Sequence, residues 1–65
     1  MQSGTFGIIG MGSFGCFIAS HLVPFYTVYG YDRFRDVEHR DVIQTTLEEV
    51  CRCDYVMFAV PVQYL

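Results

Sequence analysis

The sequence predicts an α/β fold built on a parallel sheet, and three observations support this prediction. A short apolar segment, Thr5–Ile9, runs directly into residues 10–15, which have the glycine spacing G-x-G-x-x-G. An apolar stretch of helical length follows and ends at Pro24. A second apolar segment, Thr27–Tyr31, then leads into Asp32. The order strand, glycine turn, helix, strand, acid is typical of the N-terminal half of a Rossmann-type domain.

The first strand and helix are the most clearly marked elements. Thr5–Ile9 is almost continuously apolar, which suits a parallel strand covered on both faces. The helix is expected to begin near Ser13 and to end by Val23, because Pro24 cannot continue it. The side chains expected to face the sheet have helical spacing and are Phe14, Ile18 and Leu22, with Phe17 beside them.

The second half predicts a short strand at residues 42–44, a short helix and a last strand at residues 55–60 that is buried and ends at Pro61. Only nine residues separate Asp32 from the short strand, whereas a parallel crossover usually takes a dozen or more. The usual second helix is therefore expected to be clipped or replaced by a loop. Residues 46–49 form a capping box, which predicts a helix ending near residue 52 or 53. The predicted spatial order is third strand, second, first, last.

Composition limits the partners and the compartment. The 65 residues are 52% hydrophobic, more than a small core can hide, so residues 1–65 are expected to be the N-terminal part of a larger domain, truncated after its last strand. The sparsely polar helix is expected to pack on a second body, with a homodimer as one option. Four arginines and no lysine, at net charge −3, give no basic stripe for nucleic acid and no patch for a membrane.

Three cysteines without a signal peptide indicate reduced thiols and a cytoplasmic protein, or a plastid one if the parent is plant-type. The pair Cys51 and Cys53 lacks a second pair at ligand spacing, so no metal site is predicted.

The glycine string predicts a dinucleotide site. Gly10 allows the turn out of the strand, Gly12 allows close approach of a pyrophosphate, and Gly15 allows the helix to pack on the sheet. The backbone N–H groups near Ser13 and Phe14 would face the anion at the positive end of the helix dipole. Met11 completes the turn.

Asp32 lies 22 residues after Gly10, close to the ~20-residue offset of the acid that binds the ribose hydroxyls. A carboxylate there repels a 2′-phosphate and favours NAD, although the aspartate could also be a solvated turn residue. Arg33 keeps NADP open, because its guanidinium could stack on adenine or pair with a 2′-phosphate.

The last strand ends in Ala59, Val60 and Pro61, which either line the nicotinamide ribose or only terminate the strand. His21 and His39 have no carboxylate or nucleophile partner in the sequence, so no catalytic residue is predicted.

Residues 7–17, read as GIIGMGSFGCF, and residues 53–63, read as CDYVMFAVPVQ, resemble the prephenate and arogenate dehydrogenases of tyrosine biosynthesis. The resemblance lies towards the two ends of the chain, while the middle, around residues 33–41, is shorter than the family pattern. It implies a parent enzyme that oxidises and decarboxylates its substrate by hydride transfer to NAD or NADP. The implied cofactor residues are Gly10, Gly12, Gly15, Asp32 and the turn at residues 59–61.

In that family the catalytic histidine, serine and arginine lie beyond the point matched by residue 65, so the 65 residues alone are expected to be inactive. Plant-type members that use NADP tend to have Ser-Arg where this chain has Asp32 and Arg33. The alternatives are a part of another nicotinamide or flavin oxidoreductase, a stand-alone nucleotide-binding or interaction module, or an inactive truncated product.

Overall fold

The computed structural model describes residues 4–60, which form a four-stranded, all-parallel sheet with two helices. The elements in chain order are β1 (Thr5–Ile9), α1 (Ser13–Leu22), β2 (Thr27–Tyr31), β3 (Ile43–Gln44), α2 (Leu47–Val50) and β4 (Tyr55–Phe58). The strand order β3-β2-β1-β4 confirms the predicted order. Because all four strands are parallel, their carboxyl ends meet at a single edge of the sheet.

The core lies under the two central strands. Strands β1 and β2 pair in register from Thr5 opposite Thr27 to Ile9 opposite Tyr31. Ile8 of β1 and Val28 of β2 are fully buried, and Met11, Ala19 and Val42 pack with them. The central strands are thus covered by side chains from the glycine turn, from α1 and from the segment that leads into β3.

Helix α1 has the predicted bounds to within one residue but packs through a different face. Its buried residues are Gly15 and Ala19, four residues apart, and Ile18 and Leu22 are partly buried against the core. The prediction that Phe14, with Phe17 beside it, faces the sheet is wrong, because the two side chains are 60% and 62% exposed. The small Gly15 and Ala19 let the helix approach the sheet closely, and this rotation turns Phe14 outward.

The connection from β2 to β3 contains no helix within residues 32–42, as its shortness predicted. Strand β3 is only two residues long and pairs Ile43 with Tyr29 and Gln44 with Gly30.

Helix α2 has the predicted N-cap, in which the Thr46 hydroxyl accepts from the N–H of Glu49 at 3.2 Å. The helix ends at Val50, earlier than the sequence indicated, and that fully buried valine anchors it to the sheet.

Strand β4 differs from its prediction in length and in burial. It ends at Phe58, two residues early, and Tyr55, Val56 and Phe58 are exposed, so the prediction of a buried strand is wrong. The reason is its position, because β4 is an edge strand whose partner among residues 4–60 is β1. The predicted terminator Pro61 lies outside the described residues. Within residues 4–60 no helix is long and apolar enough to cross a bilayer.

Candidate functional site

The chain leaves β1 through a turn that only glycine fits. Gly10 has φ +102°, a left-handed conformation that other residues rarely adopt, and a Cβ there would lie 2.5 Å from Cγ1 of Val60. The N–H of Gly10 donates to the carbonyl of Tyr31 at 2.7 Å. This bond joins the turn to the end of the neighbouring strand β2.

Two further glycines place the start of α1 against that turn. Gly12 is the N-cap, and its carbonyl accepts from the N–H of Cys16 at 2.9 Å. Gly15 is buried, and a Cβ on it would overlap the carbonyl oxygen of Gly10. The first turn of α1 contains no acidic residue of its own, and Ser13 lies in that turn at the carboxyl edge of the sheet.

Asp32 joins the end of β2 to the glycine turn. Its Oδ2 accepts from the N–H of Met11 at 2.6 Å, and its Oδ1 accepts from the N–H of Phe34 at 2.8 Å. The side chain is only 8% exposed, and Nε of Arg35 lies 3.8 Å from Oδ2. The acid predicted from sequence and the glycine turn predicted from sequence are therefore directly bonded to each other.

The protonation state of Asp32 follows from these contacts. Burial alone would raise the pKa of Asp32, but the N–H groups of Phe34 and Met11 and the charge of Arg35 together lower it below the ordinary value of 3.8. Asp32 is therefore ionised at neutral pH.

A cleft of about 540 Å³ opens between the glycine turn, the segment after β2 and the end of β4. Its volume falls in the range of ~300–1,000 Å³ found for small-molecule sites. Of the residues predicted from sequence, the structure brings together Gly10, Gly12, Ser13, Phe14, Asp32, Ala59 and Val60 around it. The N–H of Met11 donates to Asp32, and Gly15 packs against the carbonyl of Gly10.

Sequence analysis missed three residues that line this cleft, namely Phe34, Arg35 and Phe58. The only sequence signal for Arg35 is its position three residues after Asp32, which is the spacing of an ion pair in a turn. The predicted Arg33 does not line the cleft, and its guanidinium carbon lies 5.6 Å from the ring centroid of Phe34.

A largely apolar recess of about 220 Å³ extends from the cleft, bounded by Phe34, Leu47, Phe58 and Val60 together with the charged Asp32 and the predicted Arg33. A larger and more open depression of about 1250 Å³ lies on the far side of Asp32, against α2. That depression contains none of residues 10–15, so we assign the candidate site to the cleft and its recess.

The histidines and cysteines lie away from the cleft. His21 Nδ1 is 3.0 Å from the carbonyl of Phe17, and His39 Nε2 is 2.9 Å from the hydroxyl of Ser20. Burial raises the pKa of the Cys53 thiol, and the nearby carboxylates of Asp54 and Glu49 act in the same direction. Within residues 4–60, neither histidine faces a residue of the cleft with which it could act as an acid–base pair.

Comparison with known proteins gave no significant match to a family model, a curated protein or a solved structure. The strand order and pairing show a small, parallel, Rossmann-like α/β sheet. Any narrower assignment depends on the site itself.

Proposed function

We propose that this chain binds a nicotinamide dinucleotide, NAD, in the cleft at the carboxyl edge of its sheet. The observation that carries the proposal is the 2.6 Å hydrogen bond between Asp32 and the N–H of Met11. It combines an ionised carboxylate and a glycine turn at a helix N-terminus into one site. These two parts suit the ribose hydroxyls and the diphosphate of one ligand.

The residues present fit such a cofactor. Gly12 has no side chain, so a diphosphate can approach its backbone and the N–H groups that follow at Ser13 and Phe14. Asp32 keeps lone pairs for ribose hydroxyls beyond the two N–H groups it already accepts from. The apolar recess beside it, with the Phe34 and Phe58 rings in its wall, suits a flat aromatic base such as adenine.

NAD is preferred over NADP in this proposal because of the charge of Asp32. An ionised carboxylate bonded at the rim of the cleft repels a 2′-phosphate and accepts from a 2′-hydroxyl. Arg33 lines the recess beside the cleft, with its guanidinium over Phe34, so we assign it to the adenine and not to a 2′-phosphate.

We further propose that the site serves an oxidoreductase of the prephenate or arogenate dehydrogenase type, which the strings at residues 7–17 and 53–63 resemble. The bound dinucleotide would supply the hydride acceptor or donor. The residues of this chain would bind and orient it, and substrate binding and proton transfer would fall to residues other than those that line the cleft.

The test is a titration of NAD, NADP and ADP-ribose into the ¹⁵N-labelled chain, followed by amide NMR shifts. We expect shifts at residues 10–15 and at Asp32, with tighter binding of NAD than of NADP. Gly12→Ala should stay folded and bind at least ~10-fold more weakly, because the added methyl group stands where the diphosphate approaches. A folded chain whose glycine amides do not respond to any of the three ligands would reject the proposal.

A second candidate, a protein-interaction module, is favoured by three exposed phenylalanines along and after α1, namely Phe14, Phe17 and Phe25. Size-exclusion chromatography with light scattering separates the two candidates. A stable dimer that dissociates in a Phe17→Ser variant and ignores NAD would support the interaction module.

A further inference from the structure

The guanidinium of Arg35 lies at the mouth of the cleft, between the proposed ribose-binding and diphosphate-binding groups. Its Nε is 3.8 Å from Oδ2 of Asp32, and its Nη1 is 3.8 Å from the position that a Cβ on Gly12 would take. The Arg35 side chain is 60% exposed, whereas that of Asp32 is 8% exposed. One partner of this ion pair is therefore fixed, and the other can move into water.

The charges of the residues that line the cleft show why the position of Arg35 matters for the binding of a ligand with phosphate groups. Among the residues that line it, the charged ones are Asp32 and Arg35. A dinucleotide brings two negative phosphate groups next to the Asp32 carboxylate, which repels them. A cation within the cleft compensates that repulsion, and Arg35 is the residue in place to supply it.

We propose that Arg35 is the phosphate-binding residue of this cleft, exchanging its ion pair with Asp32 for the diphosphate of a dinucleotide. This inference rests on the proposed function and adds a role that the sequence pattern did not assign. A guanidinium can bind two phosphate oxygens at once, which a single carboxylate oxygen 3.8 Å away does not match.

Leaving Asp32 costs Arg35 little, because an ion pair with one exposed partner is weak. Asp32 does not follow, since the N–H groups of Met11 and Phe34 hold its two oxygens. The exchange also moves the guanidinium away from Oδ2, the oxygen beside which the ribose hydroxyls are proposed to bind. One side-chain movement thus prepares both halves of the site.

The neighbouring arginine is the natural comparison. Arg33 lies two residues earlier, and its guanidinium lies over Phe34 at the recess proposed to hold the base. Arg40 is exposed and belongs to the segment before β3, so its replacement removes the same charge at a different place. Arg40 therefore provides the control for net charge, and Arg33 shows what the loss of a contact to the base does.

The experiment measures the affinity of NAD, NADP, ADP-ribose and adenosine for the wild type and for Arg35→Gln, Arg35→Lys, Arg33→Gln and Arg40→Gln. We expect Arg35→Gln to weaken NAD and ADP-ribose by about tenfold each while leaving adenosine, which has no phosphate, unchanged. Arg35→Lys should recover part of the loss, and Arg40→Gln should stay within about twofold of the wild type. Any loss in Arg33→Gln should be shared by adenosine, because Arg33 lines the recess for the base. Amide NMR spectra verify that each variant is folded.

Several outcomes overturn the inference, and they differ from failure of the proposed function. If the wild type binds NAD and Arg35→Gln binds it equally or more tightly, Arg35 only covers the cleft. A loss confined to NADP would mean that Arg35 reads a 2′-phosphate, and an equal loss for adenosine would mean that it packs on the base. If the wild type binds neither NAD nor ADP-ribose, the proposed function fails and this inference fails with it.

Discussion

Two aspartates link neighbouring strands at opposite edges of the same sheet. At the carboxyl edge, Asp32 after β2 accepts from the N–H of Met11 after β1. At the amino edge, Asp54 before β4 accepts from the N–H of Thr5 at 3.0 Å and from its hydroxyl at 3.2 Å, and the N–H of Asp54 donates to that hydroxyl at 2.9 Å. Each carboxylate joins β1 to one of its two neighbours.

The two edges differ in what surrounds the carboxylate. Asp32 is nearly buried and faces a cleft, a helix N-terminus and an arginine, whereas Asp54 is exposed and satisfied by a single threonine. A hydrogen bond between strands therefore does not by itself indicate function. What distinguishes Asp32 is that its remaining acceptor capacity points into a space that a ligand can fill.

The largest expected effect comes from a substitution of Gly15, the residue that lets α1 lie against the turn at the carboxyl edge. In Gly15→Ala the new methyl group overlaps the carbonyl oxygen of Gly10, a backbone atom that cannot give way as the end of a flexible side chain could. We expect the free energy of unfolding to fall by at least ~2 kcal/mol and dinucleotide binding to be lost, because α1 must shift away from the turn. Urea unfolding followed by circular dichroism measures the first effect.

Gly12→Ala is the control for that variant. Gly12 has φ −75°, which alanine adopts freely, and the nearest atoms to its Cβ position belong to the Arg35 side chain at 3.8 Å. We expect a loss of only about 0.5 kcal/mol, from the poorer N-cap. Equal destabilisation by both variants would show that the close contact at Gly15 is not what fixes the turn.

A smaller effect distinguishes the two aspartates by pH. In Asp32→Asn one of the two N–H groups loses its acceptor, so we expect a loss of ~1–2 kcal/mol at pH 7. The pKa of Asp32 is lowered in the folded chain, so its stabilising contribution is present above about pH 4 and is lost as the pH falls through the lowered value. The stability of the wild type should therefore approach that of the variant in acid.

Asp54→Asn removes the same charge at the other edge and serves as the matched variant for ligand affinity. We expect it to bind NAD like the wild type, whereas Asp32→Asn should bind at least ~10-fold more weakly. Urea unfolding at a series of pH values, together with NAD titration of all three proteins, provides both comparisons. Equal losses of affinity in the two variants would mean that net charge, and not position, governs binding.

The features that the sequence could predict differ from those that it could not in whether they depend on local signals or on packing. Strands β1 and β2, the bounds of α1 and the place of Asp32 follow from local signals, namely apolar runs, glycine spacing and Pro24. The exposure of β4 and of Phe14 could not be predicted this way. Burial depends on which strand lies at the edge and on which helix face carries the smallest residues, and both are decided by packing between distant segments.

Arg35 was missed for a related reason. A single arginine in a polar run gives no periodic signal, and a spacing of three residues from Asp32 does not by itself mark it above Arg33, the residue directly after Asp32. The fold separates them, because the turn after Asp32 brings the side chain of Arg35 back over Gly12 while that of Arg33 lies on Phe34.

The smallest expected effect comes from a substitution of Thr5, at the amino edge of the sheet. Thr5→Val removes the hydroxyl that bonds to Asp54 but keeps the backbone N–H that donates to the carboxylate. Because these groups are exposed and water can replace the hydroxyl, we expect a loss of about 0.5 kcal/mol and unchanged NAD affinity. A large loss of affinity would contradict the separation of the two edges.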